Sequence, residues 1–463
     1  MFLASGVVLV LEILGVRLLA PYVGLTLETT TSIIGVVLAA IAAGSAVGGR
    51  AADRFDPRLL LTVLLAGGGV LALFTAPLVR LLGEQDIGAV VVAAVALVPP
   101  AAVLSAVTPT VARLQLRDLE RSGTVVGRLS AWATAGALAG TFGAGFVLVP
   151  LLSVTTSLLI AGGLLIVTGL AFGAYARTIG VGEAAAVVLL AAGAVAALLA
   201  VSSPCEVESD YHCATVTADP ARAAGRVLTL DDLRHSYVDL ADPRHLEFEY
   251  VRWIADSVEA LRPGPLDAVF VGGGGFTLPR WLLVERPGSR AHVLEVDGDV
   301  TALARRRLGL RTSRSLSVTT GDARVTLRRV PSSSADVVVG DAFGAEAVPW
   351  HLATAEWMKD VRRVLRPGGL YALNVIDRGP LSLFRAQAAT LLREFADVRA
   401  VALPGPSGPN LVLLASERPL PRTVGSTARG ARTFDRRAVR RLAEDVEPLR
   451  DDDAPADQLL TAG

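Results

Sequence analysis

The sequence predicts a two-part chain: a multi-pass α-helical membrane domain of about seven spans, then an α/β domain with a mainly parallel sheet. Three observations predict it. The chain has 463 residues, 52% of them hydrophobic, with a mean hydropathy of +0.51, which is too apolar for an ordinary soluble protein. That excess is confined to residues 1–202, where charges are few and Ala, Leu, Val and Gly dominate. Residues 203–463 have a normal globular mixture and alternate short apolar runs with helical stretches, and a four-glycine turn (272–275) follows the first such run that leads into a helix. The expected domains are therefore 1–202 in the membrane, 203–265 as a linker with a β-hairpin and helix, 266–418 as the α/β domain, and 419–463 as an Arg-rich tail.

A spanning helix needs about 20 mostly apolar residues. Seven stretches qualify: 2–22, 30–49, 59–80, 87–110, 128–149, 151–176 and 183–202. Abundant Gly and Ala suit close helix packing in lipid, where van der Waals contact drives association. Pro99, Pro100 and Pro109 are expected to kink or end the fourth helix. Arg50, Arg54 and Arg58 cluster in one loop, and Arg113, Arg117, Arg121 and Arg128 in another. Both loops, and with them the N terminus, fall on the cytosolic side by the positive-inside rule. Seven spans then leave the second domain outside, whereas an eighth would reverse this. Glu12 and Arg17 lie within the first span. Intramembrane charges mark functional sites by default, although Arg17 can also snorkel while Glu12 makes a structural contact.

The formal net charge is zero, so no field suited to nucleic acid is implied. Neither the two cysteines nor the five histidines have metal-ligand spacing. Cys205 and Cys213 follow the last span. They are either disulfide-bonded, which implies an oxidising side, or free thiols in a hairpin.

In the second half, strands are expected at 267–272, 291–296, 315–320, 335–343, 369–376, 397–403 and 410–416. Helices are expected at 276–285, 299–308, 322–330, 353–365 and 381–395. Such alternation builds a doubly wound, mainly parallel sheet, with ligands at the carboxyl ends of its strands. Gly272, Gly273 and Gly274 after the first strand let backbone approach a ligand closely. Glu295 ends the second strand, where a carboxylate can take ribose hydroxyls. Asp322 follows the third strand and Asp341 the fourth, which gathers acids along one cleft. A dehydrogenase would use the same glycine turn for a pyrophosphate. The turn "RPGGLY" (366–371) and the "GDA" after the third strand instead resemble S-adenosylmethionine-dependent methyltransferases. The domain is thus Rossmann-like and of the methyltransferase type, and its co-substrate is S-adenosylmethionine or its decarboxylated relative, with no metal.

The more specific resemblance is to the spermidine synthase (polyamine aminopropyltransferase) family, in particular bacterial members fused to a multi-span membrane domain. "LEILGVRLLAPYVG" and "GRLSAWATAGALAGTFGAGFVLVP" carry it in the first half. "LTLDDLRHSYVDLADPRHLEFEYVRWI", "VVVGDAF" and "PLRDDDAPADQLL" carry it in the second. The resemblance implies that Asp341 accepts a proton, Tyr250 lines the amine site, Asp322 contacts adenine and Glu295 contacts ribose. Asp232 lies in the stretch similar to that family's Leu-Asp-Gly turn. Glu247, Glu249, Glu346 and Tyr250 are candidates for positioning the amine, and Trp350 and His351 for covering it; solvated helix faces and helix-start packing are the plainer alternatives.

Two departures matter. Gly275 stands where the family's glycine turn has Asp, and Gly344 where soluble members have a second Asp three residues after the catalytic one. The implied partners are a small polyamine and a lipid bilayer, without nucleic acid, and a homo-oligomer stays open. The implied location is the cell membrane, as a multi-pass protein. The alternatives are an S-adenosylmethionine-dependent methyltransferase and a non-catalytic polyamine transporter or sensor.

Overall fold

A computed structural model describes the whole chain except residues 24–26, 86, 117–121, 344–347, 404–409, 426–429 and 462–463. The chain divides into two compact units, Met1–Cys213 and Ala214–Gly463.

The first unit is helical: α1 (Phe2–Val23), α2 (Leu27–Arg54), α3 (Pro57–Gly83), α4 (Ala89–Ser105), α5 (Val107–Gln115) and α6 (Ser122–Gly143). A π-turn at Ala144–Leu148 leads from α6 into the short α7 (Val149–Leu151), and α8 (Val154–Ala176) and α9 (Val181–Ala200) follow. Among the described residues seven helical stretches are long and apolar enough to cross a membrane: Phe2–Tyr22, Thr29–Arg54, Pro57–Gly83, Ala89–Gln115, Ser122–Leu151, Val154–Ala176 and Val181–Ala200. Each coincides with an expected span. Asp56 caps α3 with Pro57 at its first position, and Ser153 caps α8. Pro99 and Pro100 lie inside α4 without ending it. The interruption falls at Ala106, between α4 and α5, because Pro109 offers no N–H to the carbonyl four residues back. Of the arginines read for topology, Arg117 and Arg121 lie outside the described residues.

Glycine allows α1 and α6 to touch backbone to backbone. A Cβ on Gly6 would stand 2.9 Å from the Gly136 carbonyl oxygen, and one on Gly136 would run into the carbonyl of Phe2. Gly136→Val is therefore expected to separate these helices. The check is thermal unfolding in detergent: the midpoint should fall by several degrees, as about 1–3 kcal/mol of overpacking requires.

After α9 come a two-residue strand β1 (Val207–Glu208) and a disulfide joining Cys205 to Cys213. The bonded reading of these cysteines is thus the one observed.

The second unit opens with an antiparallel meander, β2 (Cys213–Asp219), β3 (Arg222–Leu230) and β4 (Leu233–Asp239), followed by α10 (Glu249–Glu259). The sheet proper then alternates with helices: β5 (Asp267–Val271), α11 (Thr277–Glu285), β6 (Arg290–Glu295), α12 (Gly298–Arg307), β7 (Leu316–Thr320), α13 (Ala323–Thr326), β8 (Ala335–Gly340), α14 (Ala355–Val364), β9 (Leu365–Ile376) and α15 (Ser382–Glu394). It closes with β10 (Asp397–Ala402), β11 (Asn410–Ser416), β12 (Arg432–Phe434), α16 (Arg436–Leu442) and α17 (Ala456–Thr461).

The sheet order is β12-β10-β11-β9-β8-β5-β6-β7. Its five strands from β9 to β7 are parallel, and β11, β10 and β12 add antiparallel pairs. β8, "ADVVVG", is buried at every residue, as a central parallel strand covered on both faces should be. The helix expected at 322–330 is a single α-turn (α13) followed by a 3₁₀ turn, and the fifth strand starts earlier than expected, at Leu365. Beyond residue 418 the Arg-rich stretch is built into the fold: β12 pairs with β10, and Val439, Leu449 and Ala456 join the core.

Candidate functional site

The first parallel strand, β5, has β8 on one side and β6 on the other. The chain direction across the sheet therefore reverses between β5 and β8, and a crevice opens at their carboxyl ends. Four sequence-marked features end four adjacent strands: Asp341 at β8, the glycine turn at β5, Glu295 at β6 and Asp322 at β7. With neighbouring strands about 4.8 Å apart, this edge runs about 14 Å from Asp341 to Asp322, enough for an extended nucleoside.

The turn after β5 needs glycine. Gly272 has φ +93°, and a Cβ there would collide with the Asp341 carbonyl. The backbone of the turn packs against Glu295: Gly273 N–H donates to Oε2 at 2.7 Å, Gly274 N–H to the same oxygen at 3.3 Å, and Asp297 N–H to Oε1 at 2.9 Å. Burial pushes the Glu295 carboxyl above its usual range, and these backbone donors oppose the shift. A carboxylate offers about four acceptor positions, so it has capacity left for a ligand hydroxyl.

Gly275 N–H donates to Ser236 Oγ at 2.9 Å. A Cβ on Gly275 would stand 2.8 Å from Ser236 Cβ and from Val238 Cγ2. The space of an aspartate side chain at 275 is thus filled from β4.

Asp341 is held at both oxygens. Tyr250 Oη donates to Oδ2 at 3.2 Å and Asn374 Nδ2 to Oδ1 at 2.9 Å. Asn410 Nδ2 in turn donates to Asn374 Oδ1 at 3.2 Å. The orientations are mutually determined: a carboxylate requires the amide nitrogen of Asn374 to face it, which leaves the amide oxygen for Asn410. Burial raises the Asp341 pKa to about 6, against the lowering by Asn374 and Tyr250. Burial, then the charge and hydrogen bond of Asp341, push the Tyr250 hydroxyl well above its ordinary value, so it remains a donor.

A cavity of about 400 Å³ opens beside these groups, lined by Tyr250, Asp341, Asn374, Asn410, Glu247 and Phe248 among others. A smaller pocket shares Tyr250, Glu247 and Asp341 with it and reaches Gly272 and Gly273. Both cavities also take in His235.

The structure therefore brings together Asp341, Tyr250, Glu247, Gly272 and Gly273, with Glu249 on the larger cavity alone. Gly274 and Glu295 lie against the same turn. Two expectations, for Asp232 and His351, come out differently. Asp232 is exposed in the β3–β4 turn and lines neither cavity; its neighbour Asp231 is the buried residue there, with φ +55°. His351 does not cover the Asp341 cavity: its Nε2 lies 3.4 Å from Asp322 Oδ2, and its ring meets Trp350 edge-on. Asp322 itself caps α13 through Arg324 N–H at 2.7 Å and is exposed. Glu346 and Gly344 lie outside the described residues. Among those residues no group of three or more His, Cys, Asp or Glu side chains is placed to hold a metal ion.

Asn374 and Asn410 were not singled out from the sequence. The available signal was a lone amide in the apolar run "YALNVI", where Asn374 is 1% exposed, since a buried polar side chain needs a partner.

No family model matches the chain. Over 214 residues it is 29% identical to the polyamine aminopropyltransferase of Vibrio vulnificus, covering 46% of this chain and 67% of that one. The chain is similar to the spermidine synthase family. It is a transferase of the aminopropyltransferase type. A second relative from this family, the polyamine aminopropyltransferase of Pyrobaculum neutrophilum, is 30% identical over 156 residues, which are 32% of this chain and 51% of that one. The chain thus spans about half the length of the Pyrobaculum relative. Among solved structures, a probable spermidine synthase from Corynebacterium glutamicum has the same fold, with a TM-score of 0.50 and 25% identity over 54% of this chain and 97% of that one.

Proposed function

We propose that this spermidine synthase-family chain is a multi-pass membrane protein that transfers an aminopropyl group from decarboxylated S-adenosylmethionine to a small polyamine such as putrescine. The observation that carries the reading is Asp341, held by Tyr250 and Asn374 at the strand switch point, beside both the glycine turn and a cavity of about 400 Å³. The donor supplies an electrophilic carbon next to a sulfonium and departs as a neutral thioether.

This chain's residues do the rest. The attacking nitrogen must be neutral, yet polyamine amines are mostly protonated near pH 7. Asp341 accepts a proton from this nitrogen, which frees the lone pair that then attacks the carbon as the carbon–sulfur bond breaks. Tyr250 and Asn374 fix the carboxylate so that its free lone pairs face the cavity. Glu247 and Glu249 provide negative charge for a distal ammonium. Glu295 receives ribose hydroxyls, Asp322 contacts the adenine end, and the glycine turn lets the donor lie close to backbone.

Asp341 is charged, and so competent as a base, only above its pKa of about 6. The rate should therefore fall as pH drops through that value. Asn374→Ala removes a hydrogen bond that favours the charged form, so the acid limb of kcat/KM is expected to move to higher pH, by about one unit or less for one neutral donor. A pH–rate profile of each protein checks this; an unmoved limb contradicts the assignment.

One observation favours a second reading. With Gly275 in the turn and Ser236 in the adjoining space, no carboxylate at that position selects a donor ammonium, and intact S-adenosylmethionine with methyl transfer is the alternative. Purified full-length protein given each donor separately, with putrescine, distinguishes them. Methylthioadenosine as product supports the proposal, adenosylhomocysteine supports methyl transfer, and no turnover with either supports a sensor.

A further inference from the structure

The two ends of the helical unit differ in chemistry. At one end lie Arg50 and Arg54 closing α2, Arg58 opening α3, Arg113 near the end of α5, Arg128 early in α6 and Arg177 after α8. Contacts show that these belong to one end. Arg113 Nε is 3.6 Å from Asp53 Oδ1, Arg128 Nη2 donates to Gln115 Oε1 at 3.2 Å, and the Thr62 and Thr178 hydroxyls are 3.1 Å apart.

At the other end the described residues include only Arg17 and Arg80, and both hold backbone that follows the last span. Arg17 donates to the Ser209 carbonyl. Arg80, 4% exposed, donates to the Val201 carbonyl at 2.8 Å and to Thr155 Oγ1 at 2.8 Å. The disulfide-closed segment 205–213 is fastened to this same end. Glu208 Oε2 accepts the N–H of Val154, the first residue of α8, at 2.8 Å, and Glu208 Oε1 accepts from Ser203 Oγ at 3.0 Å.

We infer that this second end is the non-cytosolic, oxidising side of the membrane, that the Cys205–Cys213 segment is a clasp formed there, and that the transferase unit takes its substrates from that side. The inference rests on the membrane reading above. Two independent rules agree on it. Arginine-rich short loops stay in the cytosol, and disulfides form and persist in oxidising compartments. α9 leads from the arginine-rich end to the disulfide end. The polar stretch from Val201 to Cys213 is shorter than the roughly 20 apolar residues a further crossing needs, so the second unit begins on the clasp side. A sulfonium nucleoside consumed there has to be carried out of the cytosol first. A transport step of that class therefore precedes the transfer.

The test uses full-length protein in intact cells stripped of their outer layers. A membrane-impermeant protease is added before or after lysis, and the carboxyl-terminal unit is followed by immunoblot. In parallel, thiols are tagged with a maleimide polymer before and after reduction, with the double variant Cys205→Ser, Cys213→Ser as the background. The expected result is digestion of the unit without lysis and polymer tagging only after reduction. Survival of the unit until lysis overturns the inference, as does tagging of both thiols without reduction. Neither readout uses turnover, so a chain that proved to transfer methyl groups would leave this placement standing.

Discussion

Asp341→Asn is expected to abolish turnover while leaving donor binding nearly unchanged. The substitution keeps the shape and the hydrogen-bond length of the side chain but removes its capacity to take a proton. A positioned general base contributes about 10²–10⁴-fold, or about 3–5 kcal/mol of barrier. The loss should sit in kcat, because in the proposed arrangement the donor rests on the glycine turn, Glu295 and Asp322, not on the Asp341 carboxylate. The variant should also stay folded: burial already raises the pKa of this group, so a neutral amide removes a desolvation penalty. The measurements are steady-state kinetics and calorimetric titration with donor. Full activity in the variant would remove Asp341 from the chemistry. Lost donor binding would show that the carboxylate organises the site as a whole.

Gly272→Ala is expected to act differently, removing donor binding and turnover together. Two effects add. The residue sits at φ +93°, a conformation that costs a non-glycine residue about 1–3 kcal/mol. Its Cβ would also meet the backbone carbonyl of Asp341, which cannot swing aside as a side chain does. Asp341 N–H donates to the Val271 carbonyl at 2.9 Å, so a push at 272 shifts the catalytic strand end and the turn at once. Unfolding midpoint and donor affinity check the effect, and wild-type affinity would refute the close approach described here.

The contrast between these variants shows what the sequence could reveal. The spans were legible because each is a run of about 20 apolar residues, and the parallel strands because they alternate with helices at regular intervals. The strand-end positions of Gly272, Glu295, Asp322 and Asp341 were legible because each closes an apolar run. Asn374 and Asn410 were not. They lie in different strands, and they meet only because β9 and β11 pair in the register Asn410↔Ile376 and Val412↔Asn374, which no local pattern encodes. Asp232 was misplaced for a similar reason: of two adjacent aspartates, which one the turn buries depends on the φ that Asp231 adopts. His351 was expected to cover the amine, whereas its Nε2 lies 3.4 Å from Asp322 Oδ2, a long-range pairing that no local pattern encodes. The β12 strand of three residues is too short to show an alternation at all. The cysteines, eight residues apart, fit a bridge or two thiols equally well until the fold brings them together.

The central claim is that ionised Asp341 takes a proton from an amine, whose freed lone pair then attacks a propyl carbon. The most direct measurement supplies full-length protein with decarboxylated S-adenosylmethionine labelled in its three propyl carbons, together with putrescine, and follows the label by mass spectrometry from pH 5 to 8. The account predicts label on the amine nitrogen, one methylthioadenosine released per transfer, and a rate that rises through a single ionisation near pH 6. Label that never reaches the amine, or a rate that does not change across that interval, would contradict it.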